Sequence, residues 1–159
     1  MKALVAYFTM RGRTKRAAKA IASSLTNYEV SFIPIECKGN FIEKIKMLDK
    51  YEKNDFSAVE EELKALDVAI YDLIVIGMPT YGNEPPNAFN EIMSRMGNLS
   101  DKKVATFTTA RFSGKKALKY MNTKVEAAGG KISNTIKITR PFYLGRRKAS
   151  KFGKEINEG

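Results

Sequence analysis

The chain has 159 residues, 43% hydrophobic and 28% charged, enough for one globular core and too balanced for a disordered or fibrous chain. With no histidine and a lone cysteine, Cys37, an internal disulfide, the usual His-based zinc, copper and haem ligand sets, Ser-His-Asp triads and Cys-His dyads are excluded. The formal net charge is +11, and residues 80–159 hold 16 basic against 6 acidic side chains, a field that favours anionic ligands or partners.

One domain spanning 1–159 is expected. The nearly continuous apolar run Lys2 to Phe8 reads as a strand buried on both faces of a parallel sheet. It is too short for a signal peptide or a membrane span, so a cytoplasmic protein is expected. After Gly12, Ala17, Ala18, Ile21 and Leu25 recur at helical spacing with Lys15, Arg16 and Lys19 between them, which predicts an amphipathic helix. Glu29 to Ile35 reads as a second strand.

Residues 36–67 form an acidic crossover, with one helix predicted from Phe41, Ile45 and Leu48 and another from Val59, Leu63 and Leu66. Asp72 to Met78 is a third buried strand, stopped by Pro79. A helix opens at Glu84-Pro85-Pro86 and carries Phe89, Ile92, Met93 and Met96 on one face. Lys103 to Thr108 is a fourth strand, followed by a helix with Ser113 as expected N-cap and Ala117, Leu118, Met121, Val125 and Ala128 as its apolar face. Lys131 to Ile138 is a fifth strand. The basic segment 140–159 supports only a short last helix near Arg147 to Ile156.

Alternating strands and helices at this spacing imply right-handed crossovers and an open, doubly wound parallel α/β sheet with helices on both faces. Ligands of such sheets bind beyond the C-terminal strand ends, which singles out the loops 9–14, 79–84 and 109–114.

Thr9-Met10-Arg11-Gly12-Arg13-Thr14 joins a buried strand to a helix, where backbone N–H groups and the positive helix end converge on an anion. It is neither a Walker A loop nor a three-glycine dinucleotide fingerprint. It resembles the FMN phosphate loop of flavodoxins, Ser/Thr-x-Thr-Gly-x-Thr after the first strand. Thr9, Gly12 and Thr14 match, and Arg11 stands where the family has threonine, exchanging a hydroxyl donor for a guanidinium.

Tyr71 to Gly82 resembles the flavodoxin third strand and its flavin-contacting loop, Pro79-Thr80-Tyr81-Gly82-Asn83. The resemblance implies Tyr81 stacking on the isoalloxazine ring and Gly82 allowing the neighbouring peptide to rotate; a surface tyrosine covering the sheet end is the alternative. In Thr109-Ala110-Arg111-Phe112-Ser113-Gly114 only place and polar, glycine-containing character match the family, and Phe112 is either a second wall for the flavin or an exposed or core-facing residue.

The resemblance covers essentially the whole chain as architecture and implies a flavodoxin-like fold, a five-stranded sheet of order 2-1-3-4-5, FMN as cofactor and electron transfer as function. An FMN-dependent NAD(P)H:acceptor reductase of the quinone type and a flavin-free relative whose basic face binds an acidic partner stand as alternatives. No side chain need act as nucleophile. Arg11, Arg13, Arg111, Lys115 and Lys116 are expected to ring the cofactor mouth, where typical flavodoxins are acidic. The tail residues Arg140, Arg146, Arg147, Lys148, Lys151 and Lys154 suit an acidic redox protein such as a ferredoxin, while no nucleic-acid recognition motif is present. Cys37 reads as a buried structural residue, and Glu60, Glu61 and Glu62 as a helix surface.

Overall fold

The computed structural model describes residues 1–139 and 142–159, the side chains of 142–144 excepted. Its elements run β1 (Lys2–Thr9), α1 (Arg13–Ala22), β2 (Glu29–Glu36), α2 (Phe41–Glu52), a 3₁₀ turn (Ser57–Val59), α3 (Glu60–Lys64), β3 (Leu73–Pro79), α4 (Asn87–Met96), β4 (Lys103–Ala110), α5 (Lys115–Ala127), β5 (Lys131–Thr139) and α6 (Phe142–Glu158). The strands form one parallel sheet in the order β2-β1-β3-β4-β5, as expected.

Residues of β1 alternate between two cores because successive side chains of a strand point to opposite faces. Ala3, Val5 and Tyr7 pack with Ala17, Ile21, Phe152 and Ile156 of α1 and α6. Leu4, Ala6 and Phe8 face Leu63, Phe89, Ile92, Met121 and Val125 of α3, α4 and α5. Covering both faces removes the backbone of the central strands from water, which is why β1 and β3 read as nearly unbroken apolar runs; β4 is buried as well but carries Thr106, Thr108 and Thr109 among its apolar residues.

Four local differences have physical causes. The last helix extends over Phe142–Glu158, far beyond the short segment expected. A Cβ on Gly153 would lie 2.5 Å from the Ile21 carbonyl oxygen and 2.8 Å from Ser24 Cβ, so this glycine lets α6 approach α1 closely rather than breaking the helix. Arg140 of the basic tail lies outside the described residues.

Gly114, not Ser113, is the N-cap of α5, and no side chain caps it; Ser113 Oγ accepts only a long 3.5 Å bond from the Lys115 N–H. Pro79 ends β3 from inside, paired with Thr109, because only its missing N–H, and not its carbonyl, is lost to the ladder.

The helix predicted from Phe41, Ile45 and Leu48 forms, capped by Asn40 in a reciprocal box with Glu43. Only the C-terminal part of its apolar face meets the core, where Met47 and Leu48 pack part-buried against it. Tyr51 is its only buried residue, stacked on Phe56 and edge-on to Phe8, whereas Phe41 and Ile45 are exposed.

Candidate functional site

Helix α1 begins at Gly12, whose φ of 84° lies in the left-handed region that glycine adopts without steric cost. The Gly12 N–H donates to Thr9 Oγ1 at 2.9 Å, and the Gly12 carbonyl accepts from the Arg16 N–H at 3.0 Å. No side chain caps α1, and its first turn holds no acidic residue. An uncapped, unopposed helix start of this kind leaves backbone N–H donors and the positive helix end open to an anion.

Thr14 is buried, and its hydroxyl shares a 2.7 Å hydrogen bond with Thr109 Oγ1 of β4. Thr109 and Ala110 therefore belong to the strand end and not to a loop. The Thr80 N–H donates to the Thr109 carbonyl at 2.9 Å, so the first turn of α1 and the ends of β3 and β4 are tied to one another through Thr109.

Beyond Thr80, Tyr81 and Glu84 exchange two backbone bonds, Tyr81 N–H to Glu84 at 2.9 Å and Glu84 N–H to Tyr81 at 3.2 Å. Gly82 sits inside this tight turn at a φ of 63°.

Two adjoining cavities result. One, of about 160 Å³, is lined by Thr9, Met10, Arg11, Arg13, Thr14, Pro79, Thr80, Tyr81, Thr109, Ala110 and Arg111. The other, of about 400 Å³, is lined by Thr80, Gly82, Asn83, Ala110, Arg111, Phe112 and Ser113. Thr80, Ala110 and Arg111 border both. The fold thus gathers at one place nearly every residue singled out in the three loops; Gly12 and Gly114 line neither cavity. Lys115 and Lys116 line neither cavity; Lys116 faces a separate recess with Lys119, Tyr120, Thr123 and Lys124.

The site is cationic, with Arg11, Arg13 and Arg111 in its walls. Arg11 lies over the Phe41 ring at 5.5 Å and Arg111 over Phe112 at 5.4 Å. Burial raises the Tyr81 phenol, with Cys37 and Glu52 adding to the rise and Arg11 opposing it, so Tyr81 stays a neutral donor. Burial likewise pushes the Cys37 thiol up to about 11, which keeps it out of thiolate chemistry.

Beside the loop, burial by itself raises the Glu36 carboxyl. Hydrogen bonds from Lys15 and Tyr7, with Lys38 near, bring it below its ordinary value. Lys15 Nζ lies 2.8 Å from Glu36 Oε1, and the Tyr7 hydroxyl donates to the same oxygen at 3.0 Å. This clasp, absent from the sequence reading, anchors the first turn of α1 to the edge strand. Its only sequence signal is a buried-strand tyrosine at a position otherwise apolar.

The buried hydroxyls of Thr80 and Thr108 have no partner among the described residues, and both crowd Gly114 so closely that a Cβ there would clash. An unpartnered hydroxyl on a residue that borders both cavities leaves hydrogen-bonding capacity for a ligand. Among the described residues no group of acidic, histidine or cysteine side chains could hold a metal ion, and no helix is long and apolar enough to cross a membrane.

Fold and site together define an open α/β protein of the flavodoxin-like fold. Its structure is similar to that of oxidised flavodoxin 2 from Bacillus cereus, with a TM-score of 0.67 at 21% identity over 99% of each chain. It is also similar to a flavoprotein in complex with FMN from Lactobacillus acidophilus, with a TM-score of 0.61 at 19% identity over 96% of this chain and 99% of that one. An azoreductase from Bacillus anthracis gives a TM-score of 0.64 at 14% identity over 98% and 100%. No protein-family model matches the sequence, and no curated protein does.

Proposed function

We propose that the chain binds FMN across the two adjoining cavities and acts in electron transfer. The observation that carries this reading is the uncapped start of α1 at Gly12 opening into a cavity that continues between Tyr81-Gly82 and Phe112. A phosphate fits the first part and a planar ring the second.

In this reading Thr9, Gly12, Arg13 and Thr14 hold the phosphate. Arg11 supplies a charge-assisted contact in place of the hydroxyl that flavodoxins carry there. Tyr81 offers a flat face and excludes water, and Gly82 keeps its peptide free to turn. Bound FMN supplies the redox chemistry that the side chains lack. The flavoprotein in complex with FMN shares the fold, which supports the cofactor assignment by analogy.

The purified protein is expected to be yellow and to release FMN on denaturation. A colourless protein that takes up no added FMN would leave instead a flavin-free binding module for an acidic partner.

A second reading, an FMN-dependent NAD(P)H:acceptor reductase, is favoured by Phe112, which is 81% exposed beside the larger cavity, where a planar acceptor would meet it. Oxidation of NAD(P)H with a soluble quinone separates reductase from carrier. In either case the cationic surface suits an acidic redox protein such as a ferredoxin as partner.

A further inference from the structure

Large hydrophobic side chains exposed among the described residues are Met1, Phe32, Phe41, Ile42, Ile45, Ile70, Tyr81 and Phe112. Their distribution is uneven. Met1 and Ile70 lie just before strands, at the opposite end of the sheet, and Phe32 leans edge-on against Tyr7 on the α1 face. The remaining residues gather at the cofactor mouth and on the adjoining first turns of α2.

Phe41, Ile42 and Ile45 are 55%, 65% and 45% exposed. Helix α2 is therefore held by its C-terminal half, where Tyr51 is buried and Met47 and Leu48 pack against the core, while Phe41, Ile42 and Ile45 face water. Burying such side chains is worth about 25 cal/mol per Å² of apolar area, so an apolar patch left open beside a site reads as an interaction surface. The patch is continuous with the site because Arg11, a wall of the smaller cavity, lies across Phe41.

The charges around it are mixed but lean positive. Asp49 pairs with Lys53, while Glu43 and Glu52 accept hydrogen bonds from the Asn40 and Asn87 N–H groups and keep their negative charge. Arg11, Lys44, Lys46 and Arg111 form no ion pair among the described residues. The result is an apolar centre whose rim carries more unpaired cations, Arg11, Lys44, Lys46 and Arg111, than carboxylates, Glu43 and Glu52.

We infer that the Phe41-Ile42-Ile45 face of α2, together with Arg11 and Arg111, docks an acidic electron-transfer protein whose redox centre lies under an apolar patch with a carboxylate rim. The inference rests on the electron-transfer reading and assigns the docking to α2 rather than to the basic C-terminal helix. Charge complementarity selects the partner and speeds the encounter, and the apolar centre holds the complex. The C-terminal cations point elsewhere: Arg146 lines a recess with Arg16 and Lys19 of α1.

The test is calorimetric titration of the full chain, pre-incubated with FMN, with a plant-type [2Fe–2S] ferredoxin of strongly negative net charge. Saturable binding is expected, weakening about tenfold or more between about 20 mM and about 500 mM salt. A loss of about tenfold is expected in I42S/I45S and again in K44E/K46E, with R146E/K148E unchanged. Far-UV circular dichroism confirms that each exposed-site variant is folded.

Loss of binding in R146E/K148E with I42S/I45S unaffected would move the docking site to α6 and overturn the inference. Absence of binding, or binding insensitive to salt, would do so too. Flavin content, read from absorbance before each titration, keeps the two readings apart. Flavin uptake without docking refutes the surface alone; a colourless protein that still docks through Ile42 and Ile45 refutes the cofactor reading and keeps the surface.

Discussion

Thr14 in the first turn of α1 and Thr109 near the end of β4 share a buried 2.7 Å hydrogen bond, joining elements that are separated by two intervening strands in sequence. Each hydroxyl is the other's recorded partner, so removing one orphans the other. Thr109→Val is expected to cost about 1–3 kcal/mol, and the double Thr14→Val/Thr109→Val variant to recover much of that. Urea unfolding of the four proteins measures the coupling; additive losses would show that the pair does not act as a unit.

Glycine at position 153 is expected to be intolerant of the smallest substitution. Alanine favours helices by about 1 kcal/mol over glycine, yet its Cβ would meet the Ile21 carbonyl oxygen and Ser24. Gly153→Ala should therefore destabilise by about 1–3 kcal/mol through overpacking. Phe152→Ala, which empties the α1–α6 core, should cost about 3–5 kcal/mol. A stabilised Gly153→Ala in thermal unfolding would mean that α6 does not pack on α1.

With FMN bound, Arg11 and Arg111 place positive charge beside the ring and the phosphate. Unlike charge favours the more negative, reduced flavin, so the midpoint potential should lie above that of a flavodoxin with an acidic mouth. Arg11→Gln/Arg111→Gln should lower it, and high salt should shrink the difference by screening. Spectroelectrochemical titration of both proteins decides; an unchanged potential would make the two arginines docking residues only.

Glu36 is bonded to Lys15 and Tyr7 and titrates below its ordinary value of 4.5 in the folded chain. A depressed folded value means that the clasp contributes its full stability above the unfolded carboxyl range and loses it as pH falls through the folded value. Glu36→Gln should lower the Tm at neutral pH and narrow the difference between neutral and acid Tm. Differential scanning calorimetry across that window would show an undiminished acid loss if other carboxylates dominate.

The sheet was legible chiefly because β1 and β3 are buried on both faces and are almost continuously apolar; β4 is buried too but carries Thr106, Thr108 and Thr109. Their loops were legible as a group because in a doubly wound sheet they all emerge at the C-terminal strand ends, and the structure brings them together around two adjoining cavities. Ser113 misled as a cap because the close packing of Thr80 and Thr108 hydroxyls against position 114 decides where α5 starts, and that crowding comes from distant strands.

Helix α2 shows the limit most directly. Phe41, Ile45 and Leu48 have the periodicity of a core-facing helix, and periodicity is a local property of 3.6 residues per turn. Whether that face meets a core depends on how far α2 stands from the sheet, which the anchoring of Tyr51 against Phe8 and Phe56 sets.

Local chemistry thus determined the order of elements, the doubly wound class and the position of the strand-to-helix loop at Thr9 to Thr14, since each follows from side-chain type and spacing along the chain. Only the tertiary structure decided the Thr14–Thr109 bond, the Tyr7–Glu36–Lys15 clasp, the length of α6 against α1 and the open face of α2. Each of those depends on which residues far apart in sequence come within a few ångströms, a distance that hydrogen bonds and packing read and that no single segment contains.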